Sequence, residues 1–273
     1  MLSWIDGQPA RDLPLADRGW RYGDGLFETV RVEQARLLCW TYHQRRLRLG
    51  CARLGLPAPP AELADWIGRA IDRTGPGMLR LAMTAGESGA GYRRPRPATP
   101  HWILQWQPIP PRPAGGEGIV LYPCRTRLPR DPALAGLKHA NRLPQVLARA
   151  EWQDQAEEGL MCDTDGFLAA GTASNLFWRR GSCLYTPPLA QCGVWGTRRQ
   201  LLLDEVGALG LTVCQQRARP SALADAEEVF ICNARIGIRP VRRLGHRRWP
   251  VGPQSRRLQA WLVEAEQRTA WAA

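Results

Sequence analysis

Proline density constrains this chain more than any other feature. Residues 108–116 read Pro-Ile-Pro-Pro-Arg-Pro-Ala-Gly-Gly, and neither helix nor sheet tolerates so many positions without a backbone donor. The segment reads as a stiff linker, which predicts a domain at residues 1–108, a linker at 109–116 and a larger domain at 117–273. With 273 residues, 44% of them hydrophobic, the chain can bury substantial cores without staples.

Patterning before the linker predicts strands at 25–32 and 35–40, joined as a hairpin. Leu47, Cys51 and Leu54 recur at i, i+4, i+7, and Leu63, Trp66, Ile67, Ala70 and Ile71 at i, i+3, i+4, i+7, i+8, so two amphipathic helices follow. Further strands are expected around 78–84 and 101–108. After the linker, strands near 118–125, 159–163, 175–179, 183–186 and 228–233 are interleaved with helices at 144–157, 197–209 and 255–268. The fold class is α+β.

Composition excludes several functions. The eight cysteines contain no Cys-x-x-Cys pair and are scattered through apparent strands and helices, which argues for reduced thiols and against a disulfide frame or a metal site. The first residues carry charge where a secretory leader needs an apolar core, and no run approaches the ~18–20 apolar residues of a membrane span. A cytoplasmic protein without membrane contact is expected. The formal charge of +12 is spread over short arginine groups with no basic tail, so it suits small anionic ligands better than a nucleic-acid groove.

In a chain where lysine is scarce, Lys138 stands out, within an apolar stretch before a helix whose first turn takes Pro144. Apolar surroundings lower a lysine pKa toward what Schiff-base chemistry requires. The same setting also suits a lysine whose stem packs while its head reaches water. The residues alone leave both readings open.

Five ordered motifs add a resemblance. Asp17-Arg18-Gly19 with Tyr22-Gly23-Asp24-Gly25-Leu26-Phe27-Glu28-Thr29, His43-Gln44-Arg45-Arg46-Leu47, the segment from Leu134 through Lys138 to Leu143, Gly171-Thr172-Ala173-Ser174-Asn175-Leu176-Phe177, and Cys232-Asn233-Ala234 with Pro240-Val241 together resemble the fold-type IV pyridoxal 5′-phosphate (PLP) enzymes, and among them the aminodeoxychorismate lyases. The resemblance implies a smaller N-terminal α+β domain and a larger C-terminal domain with a barrel-like β core and flanking helices. It implies PLP on Lys138 as a Schiff base, with Lys138 also moving protons, and Arg46 on the cofactor phosphate. The backbone amides of Thr197 and Arg198 would face the same phosphate, and Ser174, Asn175, Asn233 and Ala234 would complete the cofactor site. Tyr92, Asn141 and Arg142 are the implied substrate contacts.

The implied reaction converts 4-amino-4-deoxychorismate, a small-molecule substrate, into 4-aminobenzoate and pyruvate in a homodimer. A D-amino acid or branched-chain aminotransferase, or a PLP-binding homologue of reduced activity, are the alternatives. Two positions depart from the family pattern. Ala170 stands where relatives carry the glutamate that pairs with the pyridine nitrogen, and Ala90 stands where many carry an arginine. Asp163, Asp165 and Glu87 are the nearby acids, and spacing assigns none of them to the vacant role.

Overall fold

Alternating side chains along residues 25–33 build the first sheet, with Leu26, Val30 and Val32 on the face that enters the core. The computed structural model describes residues 2–72, 74–112 and 116–272, so part of the expected linker, 113–115, lies outside the described residues. The chain divides into two compact units: Met1–Pro111, Leu137–Asn141 and Glu266–Ala273 in the first, Arg112–Gly136 and Arg142–Ala265 in the second. The division after Pro111 falls inside the expected linker segment. It differs from a simple two-part chain because Leu137–Asn141 and the C-terminal residues group with the first unit.

Along the first unit run β1 (Leu2–Ile5), β2 (Gln8–Pro9), α1 (Arg18–Tyr22), β3 (Gly25–Glu33), β4 (Arg36–Leu37), α2 (Trp40–Leu54), α3 (Leu63–Ile71), β5 (Gly77–Thr84) and β6 (Trp102–Pro108), with β16 (Trp271–Ala272) at the end of the chain. They form an antiparallel sheet in the order β16-β4-β3-β5-β6-β1-β2. Helices α2 and α3 set Leu47, Cys51, Leu63, Ile67 and Ile71 against Leu26, Leu79, Leu81 and Leu104 of the sheet.

The expected hairpin is present, turning at Gln34 and Ala35, both with positive φ, the geometry that matches strand twist in a two-residue turn. Its second strand is shorter than expected. Cys39 sits at φ 60° and α2 starts at Trp40, so the apolar run 37–40 enters a helix instead of continuing the strand. With β4 only two residues long, the edge of β3 beside residues 25–27 is open to another partner. Leu137–Asn141 fills it: Phe27 N donates to Lys138 O at 2.9 Å and Ala140 N to Gly25 O at 2.9 Å.

The second unit holds β7 (Ile119–Pro123), α4 (Leu143–Arg149), β8 (Glu158–Cys162), β9 (Leu168–Gly171), β10 (Asn175–Arg180), β11 (Cys183–Thr186), α5 (Thr197–Glu205), β12 (Thr212–Gln215), β13 (Glu228–Asn233), β14 (Gly237–Leu244), β15 (Arg247–Arg248) and most of α6 (Pro253–Arg268). The sheet order is β12-β11-β10-β13-β14-β7-β8-β9, with β15 on β14. β9 also lies against β10, which curls the sheet into the barrel-like core expected. Helix α4 ends at Arg149, well short of 157, because Trp152 turns into the core, stacks on Tyr122 at 5.4 Å and donates Nε1 to Ala156 O at 3.1 Å. Helix α5 likewise tightens into a 3₁₀ turn at Val206–Leu209.

The C-terminal strand is a stability element of the first unit. Trp271 pairs with Leu37, and its ring lies 6.1 Å from that of the buried Trp40. Trp271→Ala removes this packing and is expected to cost roughly 2 kcal/mol, read as a lowered denaturation midpoint. An unchanged midpoint would show that the strand docks without stabilising the unit.

Candidate active site

Glu28 occupies a core-facing position of β3, where alternation calls for an apolar residue. A buried carboxylate needs partners, and α2 supplies them one turn apart. His43 Nδ1 lies 2.6 Å from Glu28 Oε2, Arg46 Nε donates to Oε1 at 2.8 Å, and Arg46 Nη2 donates to Oε2. Burial alone would raise the Glu28 pKa, but the charges and hydrogen bonds of Arg46 and His43 outweigh it and bring it down to about 2. Arg46, expected on a cofactor phosphate, is therefore gripped by Glu28 on two of its nitrogens. Any phosphate contact it makes draws on a guanidinium already fixed in orientation.

On the opposite face of β3, Phe27 carries two cations. Lys138 Nζ and Arg80 Cζ each lie 4.2 Å from the centroid of its ring. Lys138 is the only lysine in the chain, and it is half-buried. A cavity of about 330 Å³ opens on this face, with Phe27, Arg80, Arg11, Gln105 and Ala140 among its walls. Asn141 donates Nδ2 to Gly23 O at 3.0 Å, so its amide holds the turn that precedes β3. Tyr92 is 85% exposed and meets Tyr22 edge-on at 5.4 Å. Its loop is held to α1 by Arg18, whose Nη2 donates to Tyr92 O at 2.8 Å.

The remaining expected site residues belong to the second unit. Gly196 begins α5 and gives it no side-chain cap; a Cβ there would overlap Asn175 Oδ1. Glycine is thus required for the close approach, and the first turn of α5 has the geometry and dipole that suit a phosphate. Thr197 and Arg198 in that turn are buried. Asn175 donates Nδ2 to Val194 O at 3.0 Å, and Asn233 donates Nδ2 to Ala173 O at 3.0 Å while accepting from the amides of Arg235 and Ile236. Arg112 Nη2 donates to Ala234 O at 3.3 Å. Arg142 is the N-cap residue of α4. These side chains fasten the loops at 171–175 and 193–197 to one another.

Sequence reasoning missed the residue that organises the first of those loops. Glu158 Oε1 accepts from Gly159 N at 2.8 Å, Thr172 N at 3.1 Å and the Thr172 hydroxyl, and Oε2 accepts from Ala173 N at 3.2 Å and Ser174 Oγ at 3.1 Å. Its signal was a charged residue opening an otherwise apolar strand. Glu158 does not replace the carboxylate absent at Ala170. Ala170 pairs with Met161, and Glu158, three residues before Met161, projects from the other face of the sheet. Asp163 accepts from Asp165 N and Phe167 N, Asp165 pairs with Arg130 and Arg217, and Glu87 is half-exposed 3.8 Å from His101. Asp163 and Asp165 are thus already engaged.

The depressed pKa of Glu28 has a stability consequence. A group whose folded pKa lies below its unfolded value stabilises the fold above the unfolded pKa, and the contribution is lost as pH falls toward the folded one. The first unit is therefore expected to lose about 3 kcal/mol between pH 4.5 and about 2. Denaturation midpoints across that window check it, and Glu28→Gln should flatten the acid limb. A wild-type acid limb identical to that of the variant would remove Glu28 from this role.

Residues 25–244 match the family model described as amino-transferase class IV. An aminodeoxychorismate lyase of Vibrio harveyi is 30% identical over 277 residues, spanning 96% of this chain and 99% of that protein. The crystal structure of 4-amino-4-deoxychorismate lyase from Pseudomonas aeruginosa matches with a TM-score of 0.90 at 43% identity, over 96% of this chain and 98% of that one. A D-alanine aminotransferase of Bacillus licheniformis is 25% identical over 83% of this chain and 81% of its own length. The chain belongs to the class IV amino-transferase family, the fold-type IV enzymes that use PLP.

Proposed function

We propose that the chain is an aminodeoxychorismate lyase, which releases pyruvate from 4-amino-4-deoxychorismate and leaves 4-aminobenzoate. Likeness to the Vibrio harveyi and Pseudomonas aeruginosa lyases along nearly the whole chain supports this over transamination. The observation that carries it within the chain is its single lysine, fixed through its own backbone carbonyl to β3 and set over Phe27. No other ε-amine exists to anchor PLP.

When bound, PLP supplies the carbonyl that condenses with a substrate amine and an electron-withdrawing ring beside the carbon that is to lose its proton. The residues do the rest. Within the second unit, backbone amides in the first turn of α5 would suit a phosphate; within the first, Arg46, oriented by Glu28, would supply charge for one. Lys138 Nζ would anchor the cofactor and, once freed, would be the base for the proton on the amine-bearing carbon. Arg80 and Arg11, in the walls of the cavity beside Phe27, are suited to the two carboxylates of the substrate, and the excess positive charge of the chain draws in such a dianion. Loss of the proton and of the enolpyruvyl group then leaves an aromatic ring.

Lys138→Ala is expected to lower 4-aminobenzoate formation by roughly a thousandfold or more and to abolish borohydride-dependent attachment of PLP. With one lysine, mass analysis of the reduced protein gives an unambiguous site. A variant that keeps the attachment would refute the assignment. Assaying D-alanine or branched-chain amino acids with 2-oxoglutarate tests the aminotransferase alternative in the same preparation.

The assembly we infer is a homodimer. Helix α4 turns Leu143, Val146 and Leu147 outward, 65%, 60% and 55% exposed, at i, i+3, i+4, an apolar stripe of the kind that a second subunit covers. The double substitution Val146→Glu with Leu147→Glu is expected to convert dimer to monomer in light scattering. A wild-type protein already monomeric at micromolar concentration would contradict the inference.

A further inference from the structure

A second cavity, of about 200 Å³, lies in the first unit against the side of α2 that carries Trp40, Gln44 and Arg48. These recur at i, i+4, i+8 and form one stripe of the helix. Pro59, Pro60 and Trp271 of β16 stand among the other walls, the Trp271 indole 6.1 Å from that of Trp40 and inclined at 32°. Among the described residues no hydrogen bond or ion pair engages the side chains of Gln44 or Arg48. The walls thus combine aromatic rings, prolines and aliphatic side chains with an uncommitted guanidinium and amide. The volume is below the ~300–1,000 Å³ typical of drug-sized ligand sites, which limits an occupant to a single ring.

We propose that this cavity is a binding site for a single-ring aromatic carboxylate. The ring lies against the indoles and prolines, where stacked and edge contacts are favourable, and the carboxylate takes hydrogen bonds from Arg48 and Gln44. No proton or bond changes hands; the site only binds. Helix α2 also carries His43 and Arg46, which grip Glu28. Occupancy of one stripe therefore bears on the orientation of the other. The product of the proposed reaction is an aromatic carboxylate, so the cavity is suited to sensing product, a step that rests on the lyase reading.

Calorimetric titration of the PLP-loaded protein with benzoate, 4-aminobenzoate and neutral benzamide tests the site. Both carboxylates are expected to bind, benzamide about tenfold more weakly. Arg48→Glu should weaken carboxylate binding by about tenfold or more, and Ala64→Trp, which fills the cavity from an exposed position of α3, should abolish it. Arg48→Glu is expected to leave turnover without added product unchanged and to relieve inhibition by 4-aminobenzoate. Benzoate binding that is the same in both variants would overturn the site. Binding that depends on Arg48 in a protein that forms no 4-aminobenzoate would sustain the site and overturn its role in product sensing.

Discussion

One buried carboxylate organises the first unit. Glu28 faces the core among Leu26, Val30 and Val32, a position where an unpaired charge would cost several kcal/mol. Its two partners come from a single turn of α2, so strand and helix can meet in only one register. That register fixes β3, and β3 in turn holds the backbone of Lys138 at the edge its short hairpin partner leaves open. The motifs Phe27-Glu28-Thr29 and His43-Gln44-Arg45-Arg46 are therefore two halves of one electrostatic unit. Removing either half leaves a charge buried without its counterpart, which is costlier than never having had the pair.

The second unit uses the same device for another end. Glu158 takes donors from a strand amide and from three consecutive residues of the 172–174 loop, which draws that loop into a tight turn over the sheet. Asn233 then ties the loop to β13, and Asn175 ties β10 to the segment before α5. Side chains expected to touch the cofactor are thereby committed to shaping backbone. What the loops present is main-chain amide geometry at the start of α5, and Gly196 is needed because any side chain there would collide with Asn175.

Much of this was legible in the sequence. Periodicity located α2, α3, β5 and β6. What escaped was non-local. The run 37–40 is as apolar as a strand, and only the left-handed turn at Cys39 sends it into a helix. Residues 237–244 are broken by arginines and a proline that disguise a strand buried on both faces, with Ile238 and Val241 buried on opposite sides of β14. Arg80 was hidden for a related reason. On the sequence it is one arginine of many, and only cross-strand pairing of β5 with β3 sets it over Phe27. The importance of Glu158 could not be read from spacing because its partners arrive fourteen to sixteen residues later across a strand turn.

Ala170 joins these observations to the reaction. It is buried and apolar, opposite Met161, and Asp163 and Asp165, the acids nearest it along the chain, are held by other groups. A transamination must hold negative charge after the proton leaves until a proton returns at another atom, and a carboxylate at this position would help by keeping the ring nitrogen protonated. An elimination that ends in an aromatic product discharges the electron pair as it forms, into the departing enolpyruvyl oxygen. The first reaction therefore loses more than the second when the carboxylate is absent. On the proposed reading, with Lys138 to move the proton, Arg80 and Arg11 to hold a dianion and alanine at 170, the chain would be better matched to the elimination, and such a site would disfavour the transfer chemistry of its aminotransferase relatives without any added barrier against it.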